Sequence, residues 1–397
     1  MAVLGRRAIS WRGPFGPFGP FVRGAAETAG ALPAWLVGLC ASMVLTLPAW
    51  APLLHPDFNL WQVFDGSIHL RRSLFLRELI ADGNWYPRWM PQQYGGYGYP
   101  TLNFYAPGLY YLTVAFAAVL APLLPTAGLY VAMQAAAALG ALLVIAGAYL
   151  LAWQIWRHAP AALVAAATVA YAPYVIQGNL YISGGMPHVL GLAFLLFLLA
   201  ACTGLWQAMT SGRPAGLWWW GVAGSTAAVF LTHNAVAAIG CFVTFLWLAC
   251  LSLWRPSLRA LLGAASAALL GAALVAVLWV PALLETSIVQ IERHHRGNLH
   301  YRNHFLIWPG FHPETVWGLQ ERGPWTPGFP IDLHLIYPHS LYGPVRLGLW
   351  QGVTCAVAVA VLATRLARAA HGGSTFRVPS SESRVGGRPR TRNFEPG

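Results

Sequence analysis

A chain of 397 residues with 57% hydrophobic and 9% charged side chains is not a soluble domain, where about a quarter of residues carry charge. Its net charge of +12 comes from arginine alone, concentrated in the two tails and in short loops between apolar runs. That is a membrane-topology pattern and excludes a nucleic-acid footprint.

Residues 1–30 carry Arg6, Arg7, Arg12 and Arg23 around WRGPFGPFGPF and read as a disordered cytoplasmic tail. Apolar segments follow at roughly 32–54, 106–124, 128–153, 160–180, 187–208, 215–232, 235–254, 260–284 and 343–364. They are continuous, not alternating, which selects helices over a β-barrel. Their parity decides the topology. If 106–124 lies in the membrane interface, the loops holding Arg157, Arg213 and Arg255/Arg259 all fall on the side of the tails, as the positive-inside rule requires. The Tyr- and Pro-rich NFYAPGLYYL suits an interfacial segment. The expectation is therefore an all-α, polytopic transmembrane bundle of eight spans plus one interfacial helix. The membrane domain covers 31–368, with extracytoplasmic loops 55–105 and 285–342, and 369–397 is a second disordered cytoplasmic tail. Nine of the twelve acidic residues lie in those two loops, and eleven of the thirteen histidines fall on the same side. The five cysteines sit in apolar stretches with no CxxC pair, so no disulfide framework is expected.

In the first loop, FDGSIHLRRSLFLRELIADG reads as a short amphipathic helix starting at Asp65, with Ile68, Phe75, Leu79 and Ile80 on its apolar side. Asp65, His69 and Arg72, spaced i, i+4, i+7, share the opposite face. A carboxylate beside an imidazole can act as a general base or hold a divalent cation, and a guanidinium can grip a phosphate. The plainer reading makes Asp65 a helix N-cap and His69 a surface side chain. Arg88, between Pro87 and Trp89, is the candidate phosphate contact of the aromatic stretch that follows, with Tyr99 and Asn103 beside it. The aromatics there suit either the headgroup belt or a sugar face.

His188, His233 and Asn234 sit at outer ends of spans, where a polar group is either functional or tied to the backbone. Glu285 follows WVPALL, facing the polar cavity or plain water. His294, His295, His300 and His304 lack zinc-ligand spacing and read as a solvated loop. The absence of GxGxxG, GxxxxGK[ST], HExxH and GxSxG leaves nucleotide-driven transport and hydrolase chemistry unsupported, and no nucleotide cofactor is expected.

The stretches FDGSIHLRR, YPRWMPQQYGGYGYPTLNFYAPGLYYL, YAPYVIQGNLYISGG, FLTHNAVA and WVPALLE together resemble the 6-pyruvoyl-tetrahydropterin synthase-related membrane proteins, themselves similar to GT-C-type integral-membrane glycosyltransferases. The resemblance implies transfer from a polyprenyl-phosphate sugar at the outer face of the cell membrane, with Asp65 as base or metal-binding carboxylate. It implies the lipid bilayer and a lipid-linked sugar donor as partners, and leaves a divalent cation as the only cofactor under consideration. The second acidic motif of such enzymes is missing from YISGGMPHVLG, where His188 would stand in. A transporter, flippase or assembly partner, or a truncated inactive member, remains the alternative.

Overall fold

The computed structural model describes residues 32–125, 128–290, 353–361 and 363–364. The expected tails, most of the 285–342 loop with its four-histidine cluster, and much of 343–364 lie outside the described residues. The chain divides into Met1–Gln351 and Gly352–Gly397. In the second unit, 353–361 is helical and exposed.

The first unit is built from helices, and among the described residues the only β-pairing is an isolated bridge between Met90 and Tyr99. Its α-helices are α1 (Ala34–Leu45), α2 (Leu47–Trp50), α3 (Gly66–Ala81), α4 (Thr101–Phe104), α5 (Gly108–Leu120), α6 (Gly128–Trp156), α7 (Ala159–Ala170), α8 (Met186–Thr210), α9 (Gly216–Thr232), α10 (Asn234–Trp254), α11 (Leu258–Leu274) and α12 (Ala276–Leu284). A π-helix, Pro173–Ser183, continues α7.

The sequence dictates a membrane-type packing. α6 is 29 residues long, about 44 Å at 1.5 Å per residue and more than enough for a bilayer core of about 30 Å. Its alanine-rich face, including Ala132, Ala136, Ala137 and Ala141, is buried, which lets α8 approach closely. α8 is the spine. Its first half joins the core formed with α3, α5, α6 and α7, and its second half joins a core with α9, α10 and α11. α10 turns Ile239, Phe242, Phe245, Leu246 and Leu253 outward. An exposed apolar stripe of that size suits lipid and not water.

Among the described residues, four helical stretches are long and apolar enough to cross a membrane: Gly128–Trp156, Ala159–Tyr181, Met186–Thr210 and Asn234–Trp254. Two bent pairs bring the number to six if each is one span: Ala34–Leu45 with Leu47–Leu54, bent by 55°, and Leu258–Leu274 with Ala276–Leu284, bent by 76°. This is fewer than the eight expected. The counts differ because two apolar segments are broken, α9 has only 17 residues, and 343–364 is largely outside the described residues. The two breaks share a device. Trp50 and Trp279 each stand four residues past the break, at Thr46 and Val275, and each indole N–H donates to a carbonyl seven residues back, Met43 at 3.1 Å and Ala272 at 2.9 Å. That donor adds to the bonds the same carbonyls accept from Thr46 Oγ1 at 3.4 Å and from Val275 N–H at 3.3 Å. α5, at 13 residues, is about 20 Å long and cannot cross alone.

Candidate functional site

The loop before α3 is pinned from α6. Gln134 donates to the carbonyls of His55 and Phe58, both at 3.2 Å, while Tyr130 Oη accepts from Leu60 N–H at 2.8 Å and donates to the Phe58 carbonyl at 2.9 Å. Asp65 is the residue preceding α3, yet its carboxylate makes no capping bond. Its backbone N–H instead donates to the Ser183 carbonyl at the end of the π-helix, at 2.9 Å. Two glycines permit this backbone-to-backbone approach. A Cβ on Gly66 would run into the Leu60 carbonyl, and one on Gly184, at φ +72°, would stand 2.8 Å from Gly66 N. The N-cap reading of Asp65 therefore applies to its position but not to its side chain. The half-buried carboxyl is pushed above the usual carboxylate range by desolvation, with the nearby Arg72 cation working against the shift.

α3 buries more than the apolar side its sequence suggests: Phe75, Leu79 and Ile80 pack against the core as expected, and part of the polar face turns inward with them. The buried stripe is Gly66, His69, Leu70, Ser73 and Leu76, and Ile68 is exposed. The polar face can turn inward because α5 supplies Tyr110, which is fully buried. Arg72 Nη1 donates to Tyr110 Oη at 3.0 Å, and the same hydroxyl lies 3.0 Å from His69 Nδ1. Since Arg72 can only donate, the hydroxyl proton is free to point at Nδ1. The imidazole proton then sits on Nε2, which is buried and has no partner among the described residues. Desolvation, the Arg72 charge and His233 together hold the His69 pKa down at about 3, so the ring is neutral. His69 is thus a core group, which the surface reading of its position did not anticipate.

Tyr105 connects this group to the next. The Arg72 guanidinium lies 4.9 Å from its ring centroid, and its ring stands 6.2 Å from those of His69 and Tyr110 and 6.5 Å from His233. His233 packs edge-on against His188 at 4.9 Å, and His188 Nε2 lies 3.4 Å from Tyr174 Oη. His233 also has a structural duty: its Nδ1 accepts the Val236 N–H at 3.2 Å and caps α10. Asn234 donates to the Phe104 carbonyl at 2.7 Å and so braces α4.

A second polar group lies two residues up the chain from Tyr105. Arg88 Nε donates to Asn103 Oδ1 at 2.6 Å and its Nη2 donates to the same oxygen. Nη2 also meets Glu285 Oε1 at 2.9 Å, and Asn103 Nδ2 donates to Glu285 Oε2 at 2.6 Å. Those two bonds hold the Glu285 carboxyl below its ordinary range. Asn103 is buried, whereas the Arg88 and Glu285 side chains are 46% and 42% exposed. Arg88 therefore spends part of its guanidinium within the protein. Asn103 and Tyr105 can be no more than about 7 Å apart along the chain, so the two groups hang from neighbouring backbone.

The structure brings Asp65, His69, Arg72, His188 and His233 into one group and Arg88, Asn103 and Glu285 into another. Tyr99 joins neither among the described residues: its backbone pairs with Met90 and its ring packs on Tyr94, centroids 5.0 Å apart. Sequence reasoning missed Tyr105, Tyr110 and Tyr174. They lie in runs where tyrosine also serves the membrane interface, and Pro107 separates Tyr105 from Tyr110, so no helical spacing links them. Among the described residues no three His, Cys, Asp or Glu side chains are placed to hold one metal ion, and the charge acting on Asp65 is a cation. That donor set does not fit a resident metal at Asp65, and no step below depends on one.

Residues 1–310 of the 397 match a family described as a family of unknown function (DUF6541). The chain belongs to that family. Nothing matches among curated proteins or among solved structures.

Proposed function

We propose that this multi-pass member of the DUF6541 family is a GT-C-like glycosyltransferase of the cell membrane, taking a sugar from a polyprenyl-phosphate donor at the extracytoplasmic face. The observation that carries the reading is Asp65. It is a half-buried carboxylate with no capping bond, its affinity for a proton is raised above that of an ordinary carboxylate, and an arginine lies one face-repeat away. The sequence resemblance to the 6-pyruvoyl-tetrahydropterin synthase-related membrane proteins supports the same assignment, and the arginine distribution supports the orientation.

In this reading the Asp65 carboxylate removes the proton from an acceptor hydroxyl. The acceptor oxygen bonds to the anomeric carbon from the face opposite the phosphate, inverting it. The carbon–oxygen bond to the phosphate breaks, and its electron pair stays on the departing polyprenyl phosphate. Arg72 and Arg88 balance that charge. His69 orients the site through Tyr110, and Asn103, His188, His233, Asn234 and Glu285 shape it.

Asp65→Asn keeps shape and removes the base. In membranes supplied with polyprenyl-phosphate sugars, transfer should fall by about 10²–10⁴-fold, the usual contribution of a positioned base. Full transfer by the variant overturns the catalytic assignment. In the native protein, the acid limb of the pH profile should lie above the ordinary carboxyl value of 3.8. Saturable binding of the lipid-linked saccharide with no transfer by the native protein would replace the enzyme reading with that of a transporter or flippase.

A further inference from the structure

We propose that Arg88 and Asn103 form a binding pair for a phosphate group, which the chain's own Glu285 carboxylate occupies in this state. The inference deepens the reading above by saying where the donor's phosphate is held, and it rests on that reading for the ligand's identity.

The geometry is that of an oxyanion clamp. Each carboxylate oxygen of Glu285 receives one donor, and the donors come from different side chains: Arg88 Nη2 at 2.9 Å and Asn103 Nδ2 at 2.6 Å. Two tetrahedral phosphate oxygens can take the same pair. The clamp does not depend on its occupant. Arg88 is fastened to Asn103 Oδ1 through Nε and Nη2, and Asn103 is buried on α4, itself braced by Asn234. Removing Glu285 therefore leaves the donors in place. It also leaves the Asn103 amide N–H without its acceptor, and an incoming oxyanion restores one.

The occupant's side chain is 42% exposed, so solvent competes for its bonds. Glu285 follows the last turn of α12, beyond the 76° bend from α11 and after Pro281, and its side chain is bonded only to the clamp among the described residues. Solvated ion pairs of this kind hold weakly. Residues 83–104 contain no Asp or Glu, so Glu285 is the carboxylate that an incoming phosphate must displace. Arg88 lies within three residues of exposed Trp85 and Trp89, side chains suited to the headgroup region from which a lipid phosphate arrives.

If Glu285 fills the clamp nine-tenths of the time, its removal raises apparent phosphate affinity about tenfold. The test titrates the full chain in lipid nanodiscs with a ten-carbon polyprenyl phosphate and, separately, with inorganic phosphate, reading tryptophan fluorescence. Glu285→Gln should bind both about tenfold more tightly than the native protein, and adding Arg88→Gln should abolish the gain. If Glu285→Gln does not fold, Glu285→Asp, too short to reach both donors, should give the same direction. Equal or weaker binding by the folded Glu285 variants overturns the proposal, as does a gain that survives Arg88→Gln. A gain confined to the polyprenyl phosphate assigns the clamp to the lipid donor, and a gain with both probes assigns it to phosphate generally. The gain without any sugar transfer by the native protein keeps the clamp and removes the glycosyltransferase. Transfer without the gain does the reverse.

Discussion

The two polar groups flanking α4 are made of similar parts and behave in opposite ways. Around Tyr110, an arginine and a histidine share one buried hydroxyl, and burial keeps the histidine neutral. Around Asn103, an arginine and a glutamate meet in partial solvent, and their hydrogen bonds hold the glutamate's carboxyl below its ordinary range. Burial makes the first group part of the fold, because an unmatched partner there has no water to turn to. Solvent leaves the second group exchangeable, because water or another anion can replace either partner at small cost.

The largest expected effect breaks the first group. Tyr110→Phe leaves Arg72 and His69 without their shared hydroxyl in a buried setting, and should destabilise the protein by roughly 2–6 kcal/mol, at about 1–3 kcal/mol per stranded group. Thermal unfolding in detergent measures it. Glu285→Gln should lower the melting temperature far less; a loss equal to that of Tyr110→Phe would erase the contrast.

Acid should act on the buried group next. His69 is neutral in the fold down to about pH 3 but titrates near 6.5 when unfolded. Its contribution is therefore complete above pH 6.5 and lost as pH falls toward 3. Melting temperatures across this window should fall more steeply for the native protein than for His69→Gln, and identical slopes would show that His69 is protonated in the fold.

Gly184→Ala tests the seat of Asp65. A side chain at φ +72° facing the Gly66 nitrogen should cost about 1–3 kcal/mol. It should also reduce transfer, because the Ser183–Gly184 backbone is what holds Asp65. Normal melting and normal activity together would show that the contact is slack. The smallest effect is expected from Trp279→Phe, which removes one indole-to-carbonyl bond at the bend that delivers Glu285 and should cost about 0.5–1.5 kcal/mol. Trp50→Phe at the other bend should cost a similar amount.

Much of the fold was legible from apolarity alone. The long charge-free runs gave α6, α8 and α10, and the Tyr- and Pro-rich run at 106–124 gave a helix too short to cross. The breaks at Thr46 and Val275 were not legible, because nothing in an apolar run marks where a helix bends until its carbonyls find another donor. In the site, the i, i+4, i+7 spacing correctly placed His69 and Arg72 on one face of α3. It could not say which face turns inward. Apolar periodicity found Phe75, Leu79 and Ile80, which pack on the core, but the inward turn of His69 and Arg72 depended on Tyr110, 38 residues beyond Arg72.

By itself, the sequence determined that this is a helical membrane protein with its acidic residues gathered in two segments, because a bilayer tolerates charge only where the chain leaves it. Tertiary structure alone decided what those charges do. It turned His69 and Arg72 of the Asp65 helix inward to Tyr110, and it brought Glu285 across 182 residues to Asn103 and on to Arg88. The physical reason is the same in both cases: a polar group's ionisation and freedom depend on the partners and the solvent around it, and those come from parts of the chain that local spacing does not connect.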